Sequence, residues 1–444
     1  MRIGTHFRRS GLATKTRRHE RYIGLCFATS CLRGKSIFAL FAIFAAFALT
    51  VHVDAHKAIT SKYTYNDDVF PILRERCARC HVPGGVAPMS LMTYEEAFPW
   101  AESIRAELIA AHMPPWQADE AFGELKQAHT LSPRELDVIL TWATGGNPRG
   151  ALDQKLPAVT LKNEWTLGAP DLALPLPSEF ALAADKMEDT QEFTIPTGTK
   201  EVRWVRAVDL LPGNPTIVRS AVIYLKGTTA AQAAAPSPAN TASPETVLGR
   251  WIPGQEAEPI GQNIAIRLPA GAELGLRIHY KKTWQFEGKG LTDRSTVGVY
   301  FAPGTAAQEL LTVPVTAPAL SPANGSDRAT FSQTLDQDVQ ALAVSPDQVP
   351  PNITLQVEAV RPDGSRAPII RLNTRADWNR RYWLERPLSL PRGSRIEVTA
   401  TLRDPDLLSA AFAAPTAGAP APKPPSPLRL SLNVIPAQPK PPAP

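Results

Sequence analysis

Cysteine is scarce in this chain, with four residues in 444. Cys26 and Cys31 fall in the N-terminal leader, which leaves Cys77 and Cys80 for everything downstream. One closely spaced pair excludes a disulfide framework, so these two cysteines have another task. Histidine is nearly missing where a metalloenzyme would need it: past residue 150 only His279 remains. Long apolar runs are lacking as well. The one candidate, Ile37 to Val51, has 15 residues without a charge, short for a membrane span of about 20.

That apolar run follows a basic segment. Residues 1–35 hold nine Lys or Arg and a single acid, Glu20, and Val53-Asp54-Ala55 supplies small residues after the run. The order describes a secretory signal over residues 1–55, with a retained N-terminal anchor as the rival reading. Export, to the periplasm, is expected, with membrane attachment only if the segment is uncleaved. The formal charge of +5 belongs to this leader; without it 38 basic residues face 40 acidic ones. A chain so close to neutrality is not indicated as a nucleic-acid binder.

What the chain has in abundance is proline, 44 residues, which disfavours long helices and favours short strands and turns. Residues 60–150 nevertheless read as helical. Asn66-Asp67-Asp68 can cap a helix through Val69, Phe70, Ile72 and Leu73 into Cys77. Tyr94 to Ala111 has Ala97, Ile104, Leu108 and Ala111 at helical spacing. Ser132-Pro133-Arg134-Glu135 resembles a capping box opening a helix through Trp142 that stops at Gly145-Gly146. From about residue 165 the period becomes two, as in Glu201 to Val208, Ile264 to Leu268, Thr354 to Val360 and Arg395 to Leu402. The expected fold is therefore multidomain, a small all-α domain over 60–150 followed by two all-β, jelly-roll-like sandwiches over 165–305 and 306–412. Gly227 to Glu245 is expected to be a mobile loop, and the Pro/Ala-rich residues 413–444 a disordered tail.

Cys77-Ala78-Arg79-Cys80-His81 is C-x-x-C-H, the pattern of covalent c-type haem attachment. Thiols at i and i+3 lie on one side of a helical turn, where both can form thioethers to the haem vinyl groups. The adjacent histidine is then carried beneath the iron. Its second ring nitrogen is expected to donate to a backbone carbonyl, in the Val82-Pro83-Gly84 turn. A thioredoxin-like dithiol and half of a zinc site are the competing readings; the first needs a βαβ context and the second further Cys or His nearby. For the sixth iron position the candidate is Met113, in His112-Met113-Pro114-Pro115-Trp116, with Met89, Met92 and His112 as rivals. One covalent haem c is the expected cofactor.

Val69 to Gly150 resembles the cytochrome c domain that many bacterial proteins fuse to a copper type II, ascorbate-dependent monooxygenase-like region. The resemblance rests on the C-x-x-C-H, Ala87-Pro88-Met89-Ser90-Leu91, Met113-Pro114-Pro115-Trp116 and the helix to Trp142. It continues through Leu211-Pro212-Gly213-Asn214-Pro215, Leu274 to Tyr280, Asp293 to Phe301, Pro362-Asp363-Gly364, Trp378 to Tyr382 and Pro391-Arg392-Gly393. It implies two β-sandwiches. The copper ligands of those enzymes do not carry over: Arg219-Ser220 stands where a His pair belongs, Gln340 to Asp347 contains no His-x-His, and His279 is left as a remnant. Copper is not expected.

Together these readings describe a periplasmic mono-haem cytochrome for electron transfer to or from a periplasmic redox partner protein, its β module serving docking or assembly. Two alternatives are a haem-coupled copper-type monooxygenase and a haem-stabilised binding protein. Trp204, Trp251, Trp284, Trp378 and Trp383 are expected to pack in cores or at sheet edges.

Overall fold

A helical layer of short elements precedes the sheets in the computed structural model, which describes residues 60–126, 130–226, 246–304, 308–317, 327–375, 378–402 and 428–437. The leader, the loop 227–245 and tail residues 413–427 and 438–444 lie outside the described residues.

A π-helical turn, Tyr65–Val69, runs into α1 (Phe70–Arg76). Its cap is Thr64, whose hydroxyl accepts from Asp67 N. Asn66, expected to cap, is instead buried and donates to the Ala151 carbonyl at 2.9 Å. The helix expected over Tyr94 to Ala111 is interrupted: α2 (Tyr94–Ala97) and α3 (Ala101–Ile109) flank a 3₁₀ turn, Phe98–Trp100. Pro99 sits in that turn and has no N–H for a helical ladder. α4 (Pro133–Thr144) keeps the expected capping box between Ser132 and Glu135 and ends at Gly145. Tyr65, Phe70, Leu73, Ile139 and Trp142 form the core of this layer. The Arg76 Nε–Glu135 pair, 3.1 Å apart, ties α1 to α4.

The first sandwich is built from β1 (Leu172–Pro175), β2 (Phe180–Leu182), β3 (Glu188–Pro196), β4 (Arg203–Leu211), β5 (Val218–Lys226), β6 (Thr246–Trp251), β7 (Ile264–Leu268), β8 (Glu273–Lys281), β9 (Leu291–Asp293), β10 (Thr296–Phe301) and β11 (Gln308–Glu309). One sheet runs β1-β10-β4-β7-β11 and the other β3-β8-β5-β6, with β2 and β9 as a small pair. Only the β7–β11 contact is parallel among these pairings. Inward residues such as Val205, Ile223, Leu276 and Val297 fill the space between the sheets, as a two-residue period requires.

The second sandwich contains β12 (Leu311–Ala317), β13 (Arg328–Thr334), β14 (Val339–Gln348), β15 (Ile353–Val360), β16 (Arg366–Asn373), β17 (Tyr382–Leu390), β18 (Arg395–Leu402) and β19 (Leu428–Pro436). Its antiparallel sheets are β12-β19-β14-β17 and β13-β18-β15-β16. β19 corrects the disordered tail expected from residue 413 onward, and it extends the second sandwich beyond residue 412. It is an interior strand, paired to β12 on one side and β14 on the other. Leu428, Leu430, Leu432 and Val434 enter the core between the sheets. Ile435, together with Leu342 and Trp383, joins the core of the first sandwich, so this sheet is covered on both faces. The two sandwiches and the helical layer belong to one unit, Ala58–Pro444.

Candidate functional site

The C-x-x-C-H segment continues α1 by one turn. Cys77 N donates to Leu73 O at 2.8 Å, and Cys80 N and His81 N both reach Cys77 O, at 3.1 and 2.8 Å. The following loop folds back on it: Ala87 N donates to Cys80 O at 3.2 Å and Leu91 N to His81 O at 3.1 Å. Gly85 permits this approach, since a Cβ there would sit 2.3 Å from Cys80 O. His81 Nδ1 lies 3.1 Å from the Met89 carbonyl. The orienting carbonyl is therefore Met89, eight residues on, and not the Val82–Gly84 turn. With Nδ1–H donating there, Nε2 is the ring nitrogen left for a metal.

Cys77, Cys80, His81 and Met113 line one cavity of about 520 Å³, within the range of small-molecule and cofactor sites. Leu73, Leu91, Ile104, Leu108 and Ile139 supply an apolar wall from the helical layer. Met89 also lines it, whereas Met92 packs in the helical core and is 5% exposed. The His112 Nδ1 is held by Glu107 at 3.1 Å, and His112 is not among the lining residues. Burial pushes the Cys77 thiol up to about 12 and the Cys80 thiol up to about 11. Thiols held protonated in this way do not suit a dithiol redox reagent, which needs an accessible thiolate. Burial also lowers the His81 pKa, which keeps the imidazole in the neutral form a metal requires.

The far wall was not legible from sequence spacing. Arg219 from β5, Lys281 at the end of β8, Lys282, Thr283 and Trp284 line the same cavity, as does Trp378 before β17. The helical layer is fixed there on both sides. Arg79 donates to Gly254 O at 3.0 Å and pairs with Glu256 at 2.7 Å. Arg219 donates to the Val86 carbonyl. The segment after Met113 is stitched to the second sandwich through isolated bridges Ala118–Leu372 and Leu125–Leu384. Asp119 N donates to Arg371 O at 2.8 Å, and Trp116 meets the Tyr382 ring edge-on at 5.3 Å. Met113 is thus held at the start of a strand-like connector anchored on β16 and β17.

Of the positions singled out for copper, Ser220 and His279 are cross-strand neighbours on β5 and β8. His279 Nδ1 contacts the Thr190 hydroxyl at 3.1 Å. On β14, Asp347 is paired with Arg250 at 2.6 Å, both side chains being 6% exposed. Among the described residues no three His, Cys, Asp or Glu side chains gather as a metal-binding group.

No protein-family model matches the chain, and no curated protein does. Solved structures that match include one from Sulfolobus turreted icosahedral virus, at 10% identity over 64% of this chain and 99% of that one, with a TM-score of 0.13. A Paenibacillus xanthan lyase matches at 10% identity over 59% of this chain and 24% of that one, with a TM-score of 0.15. The VP2 subviral particle of infectious bursal disease virus matches at 12% identity, 64% and 74% coverage and a TM-score of 0.16. At such scores none bears on fold or function.

Proposed function

We propose that this chain is an exported mono-haem c-type cytochrome that transfers electrons, carrying a non-catalytic β module related to copper monooxygenases. The observation that carries the reading is the single cavity lined by Cys77, Cys80, His81 and Met113. The donor set fits the group: two thiols for thioethers, an imidazole with Nδ1 engaged, and a thioether from the connector. Bound haem supplies one-electron exchange at iron. The protein's own residues do the rest. Cys77 and Cys80 fix the macrocycle covalently, Met89 O orients the His81 ring, and the apolar wall excludes water.

Were His81 and Met113 both to hold the iron, the group would supply one-electron exchange and not chemistry at an open iron position. The copper alternative lacks donors: Arg219 offers only N–H groups, and Asp347 is engaged by Arg250. The test is metal analysis of the purified full chain. Iron in covalent haem without stoichiometric copper supports the reading; two coppers per chain would restore an oxidative enzyme.

A further inference from the structure

Met113 stands in a segment that cannot anchor itself. Pro114 and Pro115 follow it without an N–H to donate. Trp116 N donates to Pro114 O at 2.7 Å, a bond that stays inside the segment. The methionine is therefore placed by the residues on either side of it.

Both sides are held by the stretch at the end of β16, Asn373 to Arg375. Asn373 N donates to Gln117 O at 2.9 Å, and Gln117 Nε2 reaches back to Arg375 O at 3.4 Å. On the other side, Arg375 Nη1 donates to His112 O at 3.0 Å. That carbonyl shares a rigid peptide plane with Met113 N, so fixing the oxygen fixes the entry of the chain into Met113. His112 N donates to Glu107 O at 2.9 Å, which ties the segment to α3 and leaves its carbonyl to Arg375. A guanidinium-to-carbonyl bond is charge-assisted and stronger than a neutral one. The stretch itself is firmly seated. Thr374 is 3% exposed, its N donates to Ile353 O at 2.9 Å, and its hydroxyl donates to Pro350 O at 2.7 Å.

Resting on the cytochrome reading above, we propose that Arg375 is a positioning residue for Met113, holding the peptide that presents its thioether to the iron. The second sandwich then governs how readily the sixth ligand leaves.

The test uses the full chain and compares wild type with Arg375→Met, which keeps the stem and removes the donors, Arg375→Lys and Arg371→Ala. Covalent haem is read on a denaturing gel. Ligation is read from the far-red band of thioether-bound ferric iron during titration with imidazole, which competes with Met113. Arg375→Met should lose the band at about tenfold lower imidazole, the scale of one hydrogen bond to a charged group. Arg375→Lys should bring the midpoint back toward wild type. Arg371→Ala breaks the pair with Asp119 further along the connector and should leave the midpoint unmoved. If Arg375→Met does not fold, Arg375→Gln, uncharged and shorter, decides on the same midpoint. A wild-type midpoint in Arg375→Met or Arg375→Gln, or an equal shift in Arg371→Ala, would overturn the positioning role and leave the cytochrome reading standing. Attached haem without the far-red band in the wild type would overturn the ligand role of Met113 and this proposal with it. No covalent haem in the wild type would overturn both readings.

Discussion

The Met89 carbonyl, 3.1 Å from His81 Nδ1, bears on which methionine faces the other ring nitrogen. The main chain of Met89 lies on the Nδ1 side of the imidazole, away from a metal at Nε2. Met113 lines the same cavity from the connector after α3, and the proposed function assigns it as the second iron ligand. Met113→Ala should abolish the far-red band and lower the potential, because Met/His ligation raises it. Met89→Ala should keep the band, since the carbonyl that orients His81 survives the truncation. Loss of the band in Met89→Ala alone would reverse the assignment. Gly254 makes a second residue-scale case. Its φ is +74°, and a Cβ there would lie 2.8 Å from Arg79 Cβ. Gly254→Ala should cost about 1–3 kcal/mol, the range for a non-glycine residue held in that region, read as a lower melting temperature. The C-x-x-C-H and Met113 could be singled out from sequence because their spacing is local, and the structure brings them to one cavity. The wall residues from the sandwiches, Arg219 and Trp378 among them, could not be, because no spacing signals a residue that reaches a cavity through packing of distant elements.

At the scale of elements, α4 shows what sequence reads well. Ser132, Pro133 and Glu135 specify its start and Gly145 its end, all within the chain's own first and last turns. Ser132→Ala should cost about 1 kcal/mol, as loss of an N-cap hydroxyl does, measurable by denaturant unfolding. β19 shows what composition conceals. Leu428, Leu430, Leu432 and Val434 alternate cleanly, but the Pro/Ala-rich surroundings dominate any window that averages over them. Its partners β12 and β14 are separated from it by many residues, so only the folded sheet reveals its place. A chain ending after residue 410 should lose the cooperative unfolding of the second sandwich, whereas one ending after 437 should retain it. Equal melting of the two truncations would contradict an interior role for β19.

Across the whole molecule, the sandwiches are joined by apolar and ionic contacts together. Leu342, Trp383 and Ile435 extend the first sandwich's core into the second. Arg250 of β6 meets Asp347 of β14, which also accepts from the Ser431 hydroxyl. Asp347→Ala leaves a buried guanidinium without its carboxylate and should cost about 3–5 kcal/mol. Replacing Arg250 and Asp347 together by apolar residues should cost much less, a difference that a double-mutant cycle reads directly. The helical layer rests on both sandwiches through Arg79–Glu256 and Arg371–Asp119, which is how residues some two hundred positions apart come to line one cavity. The proposed electron transfer requires that cavity to be a haem pocket. The most direct measurement is the intact mass of the denatured full chain, produced in a host with c-type haem attachment machinery. One haem retained per chain is expected, and none in the Cys77→Ala, Cys80→Ala double variant; apoprotein mass alone in the wild type, or haem retained in the double variant, would contradict a covalent haem at this motif.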